Sequence, residues 1–234
     1  MTDLVGYDLR GGVAVLVMDD GKANAMSGAM QAALNAALDR AEAEAGAIVL
    51  AGRPGKFSAG FDLGVLMGGG PEAVAMTNGG FELAHRVSAC PVPVVAACTG
   101  HAIAMGAFLL LSCDYRVGAD DDYRLSANEV AIGITMPHTA IEVVTHRLPP
   151  HVAERALLQS EVFSAANAVQ TGWLDALAAP DAVVDVAVAH ATHLVETLNP
   201  EAHAATKARV RERHLDALAL AVAADRVDNE AIFG

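Results

Sequence analysis

The sequence predicts an α/β fold that ends in a purely helical region. In the first half of the 234-residue chain, apolar runs typical of buried strands alternate with segments of helical periodicity. From residue 181 onward only helical patterns remain, which indicates a separate packing or assembly element. With 53% hydrophobic residues the chain can bury a sizeable core, as one domain with an appendage or as two small domains.

The first half of the chain supplies most of the predicted strands. A hairpin turns at Gly11-Gly12, a helix begins after the N-cap Ser27, and a strand over 47–51 runs into a glycine-punctuated loop. A helix over 71–88, a buried strand "VPVVAA", a helix from "MGAFLLLS" and a strand "DYRVGA" follow. The second half is predicted to contain a short strand near 173–177 and helices over 138–148, 150–160, 164–171, 181–198 and 201–225.

The charge and the cysteines of the chain argue against a nucleic-acid-binding, metal-binding or secreted protein. The net charge is −13 and the lysines number only three, so the positive potential that attracts nucleic acid is missing. Cys90, Cys98 and Cys113 are odd in number, have no metal-ligand spacing and stand mostly among apolar neighbours, which indicates buried, reduced thiols. The first residues show no secretory signal. These features predict a cytoplasmic protein that binds neither nucleic acid nor a structural metal.

One segment has the length of a membrane span. Residues 94–113 contain no Asp, Glu, Lys or Arg, and twenty apolar residues suffice to cross a bilayer. Thr99, Gly100 and His101 interrupt the run, and Pro91 and Pro93 precede it. A buried strand, a turn and a buried helix are therefore predicted instead of a span.

The loop in "IVLAGRPGKFSAGFDL", residues 48–63, invites three explanations that fail on spacing. A P-loop needs four residues between its first glycine and Gly-Lys, whereas "GRPGKFS" has two. A nucleophile elbow needs glycine two positions before the serine, where Ser58 has Lys56. The three spaced glycines of a dinucleotide-binding turn are also missing. Neither Lys56 nor Ser58 is therefore predicted to perform chemistry.

A second small-residue loop suggests a different use. "FSAGFDL" at 57–63 is followed by "TGHAIAMGAFLLLSCD" at 99–114, which runs into an apolar helix. Each loop can direct a backbone N–H at one point, and a helix N-terminus favours negative charge. Two such N–H groups are what an oxyanion hole requires.

These residues resemble the crotonase (enoyl-CoA hydratase/isomerase) superfamily. The family's first oxyanion motif, Phe-Ser-Ala-Gly-x-Asp-Leu, is matched at 57–63, and its second motif is matched loosely at 99–114. Further agreement is found in "NAMS" at 24–27, "PVPVVAAC" at 91–98, "NEVAIGITMP" at 128–137, "SAANAVQTGWLDAL" at 164–177 and "NPEAHAATK" at 199–207. The resemblance thus extends over nearly the whole chain.

The resemblance implies a crotonase-like spiral of ββα units over 1–195 and a helical oligomerisation region over 196–234. It implies homotrimers or dimers of trimers, acyl-CoA thioester substrates and no cofactor beyond the CoA that the substrate carries. The oxyanion donors would be the N–H groups of Phe61 and Met105, with Gly106 as the alternative because Met105 departs from the family's glycine. Substrate-binding residues implied by position are Ala59, Gly60, Asp62, Leu63 and Phe108.

The acid and base positions separate two reactions. Hydratases of the family use two glutamates, and here the first position holds Phe108 while the second matches Glu129. A single carboxylate beside an oxyanion hole resembles the family's Δ3,Δ2-enoyl-CoA isomerases. Phe108 would exclude water and raise the pKa of the Glu129 carboxyl, which favours a proton shuttle over hydration.

Two alternatives remain at this point. A hydratase could use another acid, for which Glu82 and Glu142 are the reserve carboxylates. A non-catalytic acyl-CoA-binding protein could keep the fold without the chemistry, and Met105 and Phe108 favour that possibility. His101 and His138 are predicted to be structural rather than basic groups of the site.

Overall fold

Two β-sheets form the centre of the fold in the computed structural model, which describes residues 3–234. The strands are β1 (Val5–Arg10), β2 (Val13–Met18), β3 (Ala47–Ala51), β4 (Gly55–Ser58), β5 (Val94–Cys98), β6 (Gly100–Ile103), β7 (Tyr115–Ala119), β8 (Arg124–Ser126), β9 (Phe163–Ser164) and β10 (Ala176–Ala178). The α-helices are α1 (Gly28–Glu44), α2 (Leu63–Gly68), α3 (Gly70–Ala89), α4 (Met105–Ser112), α5 (His138–Arg147), α6 (Pro150–Gln159), α7 (Ala165–Thr171), α8 (Val183–Thr197) and α9 (Pro200–Phe233).

The larger sheet has the strand order β1-β2-β3-β5-β7-β10. Strands β1 and β2 form the predicted antiparallel hairpin, with Arg10 opposite Val13 and both turn glycines at positive φ, while all other neighbours are parallel. Strands β3 and β5 are buried along their whole length because helices cover both faces of the sheet. Helix α8 packs on one face, where Val13 and Val15 point, and α1 packs on the other, where Ala14 and Leu16 point.

The smaller sheet has the order β4-β6-β8-β9, with β4, β6 and β8 parallel to one another. The turn predicted at Thr99-Gly100-His101 is wrong, because Gly100–Ile103 forms strand β6 instead. A Cβ on Gly100 would overlap the backbone of Gly55 and Lys56, so glycine lets β6 approach β4 closely. Residues that resemble a turn in the sequence therefore serve as a strand.

The uncharged segment 94–113 folds as β5, β6 and α4 rather than as one long helix. Within residues 3–234, no helix combines the length and the apolar character needed to cross a membrane. The helix predicted to begin with "MGAFLLLS" begins where α4 does, at Met105, and α4 ends at Ser112.

The C-terminal helix α9 is 34 residues long and begins one residue before the predicted start, but it extends past the predicted end at residue 225. It packs along α3 and α5 of its own chain. Lys207 and Arg211 form ion pairs of 2.7 and 2.8 Å with Asp114 at the end of α4. Whether this region also mediates assembly stays a prediction.

Candidate active site

The carboxyl ends of β4, β6 and β8 bring three predicted site residues to one edge of the smaller sheet. Phe61 follows the end of β4, Met105 follows β6, and Glu129 follows β8, each within three residues of its strand. Parallel neighbours run in the same direction about 4.8 Å apart, so their carboxyl ends lie side by side. The topology thus gathers Phe61, Met105 and Glu129 from distant parts of the sequence.

The first loop is held by hydrogen bonds to residues 23–26. Gly60 has φ +90°, its N–H donates to Ser58 Oγ at 3.2 Å, and Ser58 Oγ donates to the Asn24 carbonyl at 2.7 Å. The Met26 N–H donates to the Gly60 carbonyl at 2.8 Å. Among the hydrogen bonds of residues 3–234, none is donated by the Phe61 N–H. The loop is fixed by these bonds, and the Phe61 N–H has no acceptor among the described residues.

Asn24 and Asp20 hold the backbone around this loop by hydrogen bonds, a role that the sequence did not predict. Asn24 is fully buried at φ +52°, and its amide donates to the carbonyls of Met18, Lys56 and Phe57. The Asp20 carboxylate accepts hydrogen bonds from backbone N–H groups over residues 22–25, including that of Asn24. The motif "NAMS" was the available signal, since Asn tolerates positive φ and its side chain bonds backbone groups.

The second loop lies directly against the first. Ala104 adopts φ +51° and ψ −126°, a glycine-like conformation that turns the chain into α4. A Cβ on Gly60 would lie 2.9 Å from Ala104 Cβ and 3.3 Å from the Met105 nitrogen. Met105 is the first residue of α4, so its N–H has no acceptor within the helix, and no described hydrogen bond uses it. Gly60, the residue before the first predicted donor, therefore lies beside the nitrogen of the second.

Gly106, the alternative donor, also has a packing role. A Cβ on Gly106 would lie 2.5 Å from the Ser58 carbonyl oxygen and 2.9 Å from the Ser58 carbonyl carbon. Its N–H, like that of Met105, donates none of the described hydrogen bonds. The Met105 side chain is fully buried in the hydrophobic core, as is that of Phe108 one helical turn later.

Glu129 is a buried carboxyl without a partner. Only 7% of the residue is exposed, and no described group hydrogen-bonds its Oε2 atom. Burial raises the pKa of Glu129 from 4.5 to about 7. A carboxyl that titrates near neutrality can both accept and return a proton, which suits general acid–base chemistry.

The reserve carboxylates are bound by α9. Glu82 forms an ion pair with Arg226 at 2.6 Å, and Glu142 is hydrogen-bonded to His214 Nδ1 at 2.7 Å. Both contacts join α9 to the helix that carries the glutamate. Each carboxylate thus has a structural partner, in contrast to Glu129.

The two histidines and Asp62 contact neighbouring backbone or surface groups. His101 Nδ1 accepts the Arg124 N–H at 3.0 Å, and desolvation together with nearby Lys56 and Arg124 lowers its pKa. The Asp62 carboxylate caps α2 by accepting the N–H groups of Gly64 and Val65. Ala59 and Leu63, which flank the Phe61 donor, are exposed.

Within residues 3–234, one group of side chains has the composition of a metal site. His138, Asp225 and Asp228 offer ligand atoms within 4.8 Å of one another. Both Asp225 oxygens, however, accept backbone N–H groups, from His138 and Thr139 at 2.8 Å each. The buried Asp225 carboxylate therefore acts as the N-terminal cap of α5.

Comparison with known proteins gives a consistent result. A family model described as enoyl-CoA hydratase/isomerase matches residues 8–232. Human mitochondrial enoyl-CoA delta isomerase 1 is 31% identical over 190 residues, which cover 79% of this chain and 63% of the human protein. The chain therefore spans slightly less than two thirds of that relative's length.

Solved structures agree over more of the chain. The crystal structure of an enoyl-CoA hydratase from Mycobacterium marinum has a TM-score of 0.92 at 44% identity, covering 99% of this chain and 100% of that one. The structure of a Mycobacterium tuberculosis enoyl-CoA isomerase has a TM-score of 0.90 at 46% identity, covering 95% and 97%. Similar proteins are thus named after both reactions.

Proposed function

The chain belongs to the enoyl-CoA hydratase/isomerase family of the crotonase superfamily, and from this premise we propose that it isomerises an enoyl-CoA thioester. The substrate is a 3-enoyl-CoA and the product the conjugated 2-enoyl-CoA. The reaction moves one proton and one double bond within the acyl group. It consumes neither water nor a cofactor, because the CoA is part of the substrate.

The proposed mechanism uses Glu129 twice. Its carboxylate removes a proton from C2, which is acidified by the thioester carbonyl, and the negative charge moves to the carbonyl oxygen. The N–H groups of Phe61 and Met105 stabilise this enolate oxygen. Protonated Glu129 then returns the proton to C4, so that the double bond moves from C3–C4 to C2–C3.

The observation that carries this proposal is the buried Glu129 carboxyl beside the carboxyl ends of β4 and β6, whose Oε2 atom has no hydrogen-bond partner within residues 3–234. Glu129 is buried with a pKa of about 7, while Phe108 stands where the resemblance places a hydratase's first glutamate. Phe108 is 1% exposed and has no group that could activate water. One titrating carboxyl suffices for a proton shuttle, whereas conventional hydration uses two.

The hydratase alternative is kept because the Mycobacterium marinum relative at 44% identity is described as an enoyl-CoA hydratase. The distinguishing assay supplies purified protein with a 3-enoyl-CoA and, separately, with a 2-enoyl-CoA. We expect conversion of the 3-enoyl thioester to outpace hydration of the 2-enoyl thioester. Faster hydration would assign the hydratase reaction instead, and calorimetric binding of both esters without turnover would assign a non-catalytic binding protein.

The proposed shuttle also predicts the pH dependence of the isomerase rate. Glu129 must be ionised to remove the C2 proton, and its pKa lies at about 7. We therefore expect kcat/KM to rise about tenfold per pH unit below pH 7 and to level off above it. Initial rates on one 3-enoyl-CoA across this range test the prediction, with circular dichroism as the folding control. A rate that is flat or falls as pH rises toward 7 would contradict it.

Assembly and location belong to the same proposal. An apolar groove of about 740 Å³ lies between residues 130–136, α5 and α6, and Val130, Ile132 and Leu158 are exposed beside it. Exposed apolar patches of this kind commonly mark interfaces, which supports a homotrimer or a dimer of trimers.

Three buried free cysteines support the reducing cytoplasm as the location.

A further inference from the structure

Helix α3 contains two adjacent glycines in its interior, which local helix energetics disfavour. Glycine in a helix interior is less favourable than alanine because its backbone loses more conformational freedom on folding. A Cβ on Gly79 would overlap Gln31 Oε1, and a Cβ on Gly80 would lie 2.6 Å from Phe61 Cζ. The second glycine thus forms a notch, and the ring of Phe61 fills it.

The notch holds the ring of Phe61, the residue whose backbone N–H is the first proposed oxyanion donor. Phe61 also meets the ring of Phe81 edge-on, with centroids 5.7 Å apart and planes at 78°. Gln31 closes the notch from α1, since its amide nitrogen would lie 3.5 Å from a Gly80 Cβ and donates to the carbonyls of Met26 and Met76. Because the half-buried ring lies against α3 at Gly80, a side chain added there would push it away from α3.

We propose that Gly80 sets the length of acyl chain that the enzyme accepts, by keeping the Phe61 ring withdrawn into α3. This inference rests on the proposed function, because it requires the thioester oxygen at the Phe61 N–H. A carbonyl bound there places the first acyl carbons beside the Phe61 side chain, so the ring forms part of the wall of the acyl pocket. The exposed side chains of Leu63 and Met67 on α2 continue this apolar surface outward.

The predicted effect concerns chain length rather than overall rate. A methyl group at position 80 displaces the ring into the space of the acyl chain. For Gly80→Ala we expect the ratio of kcat/KM for 3-decenoyl-CoA to that for 3-hexenoyl-CoA to fall about tenfold. Phe61→Ala removes the ring and keeps the N–H, so the ratio should rise. In the double variant Phe61→Ala/Gly80→Ala, the alanine at position 80 should no longer lower the ratio.

Gly79→Ala is the matched control, because it places the same methyl group on the same helix against the Gln31 amide oxygen rather than against the Phe61 ring. A general disturbance of α3 would change both glycine variants alike. An unchanged ratio in Gly80→Ala, or an equal fall in Gly79→Ala, would overturn the inference. If Gly80→Ala does not fold, a ratio in Phe61→Ala that fails to rise has the same consequence.

A binding measurement separates this inference from the proposed reaction. Calorimetry with the unreactive esters hexanoyl-CoA and decanoyl-CoA should show the same tenfold change in selectivity. If wild-type protein turns over no enoyl-CoA while Gly80→Ala still shifts the binding ratio, the isomerase proposal fails and the acyl-length inference stands. If wild-type protein isomerises the 3-enoyl-CoA but Gly80→Ala leaves the binding ratio unchanged, the isomerase proposal stands and the acyl-length inference fails.

Discussion

Glu129→Gln is expected to lower kcat/KM on a 3-enoyl-CoA about 10³-fold, because the amide cannot accept the C2 proton. Its size and neutral hydrogen-bonding groups match those of the protonated carboxyl, so the pocket keeps its shape. Glu82→Gln is the matched control, since Glu82 is ion-paired with Arg226 on the surface and should leave the rate near wild type. Hydration of a 2-enoyl-CoA that survives in Glu129→Gln would contradict the assignment of this residue.

Glu129→Gln is also expected to stabilise the protein. A measured gain in stability would exclude misfolding as the cause of the variant's inactivity. The pKa of Glu129 rises from 4.5 to about 7 on folding, so the folded state holds the proton more tightly. Stability therefore falls as pH rises from about 4.5 to about 7, and the full cost is present above pH 7. Ionising the buried Glu129 lowers the free energy of unfolding by an amount on the order of 3 kcal/mol. The glutamine side chain of the variant does not ionise, so the variant does not suffer this loss. Thermal unfolding at pH 8 should show a higher Tm for the variant, with a smaller difference at pH 5.

Gly106→Ala is the second substitution with a large expected effect, because the new methyl group would meet main chain. Its Cβ would lie 2.5 Å from the Ser58 carbonyl oxygen and 2.7 Å from Ser58 Cβ. Relieving this overlap separates the start of α4 from the end of β4, and therefore the Met105 N–H from the Phe61 N–H. We expect kcat to fall at least 10²-fold and stability to fall by about 1–3 kcal/mol.

Gly28→Ala is the corresponding control for a glycine at the start of a helix. Nothing lies within 4 Å of a Cβ at Gly28, the first residue of α1. Both variants should be compared by thermal unfolding and by single-turnover rates at a temperature where Gly106→Ala is folded. Wild-type single-turnover rates in Gly106→Ala would show that contact between the two loops is not needed for the reaction.

The sequence predicted best those elements whose signal is local. Strand β3 is a short apolar run, and α4 is a continuous apolar helix. Helix α1 follows its N-cap Ser27, whose side chain accepts the Met30 N–H. Strands β4, β6 and β8 have only three or four residues, and β6 contains glycine and histidine, so no periodicity reveals them. They are strands because they pair with each other, which a local pattern cannot record.

The residues of the candidate site also fall into two groups, those that a sequence motif indicated and those that only contacts between distant positions reveal. Motif spacing predicted the two loops, and resemblance to a known family identified Glu129. The supporting role of Asn24 depends on carbonyls more than thirty positions away, and the partner of Glu142 lies 72 positions away on α9. Such contacts exist only after the chain has folded, so neither was predictable from spacing.

The proposed oxyanion donors are main-chain groups, which affects how the gene tolerates mutation. Every amino acid except proline supplies an N–H, so almost no codon change at positions 61 or 105 deletes a donor. The half-buried Phe61 side chain can therefore change, and alter substrate range, while the proposed charge stabilisation survives. Glu129 has no such protection, since its carboxyl is encoded directly. A change at the Glu129 codon would therefore remove the proposed catalytic group itself, whereas a change of side chain at position 61 would leave its proposed donor in place.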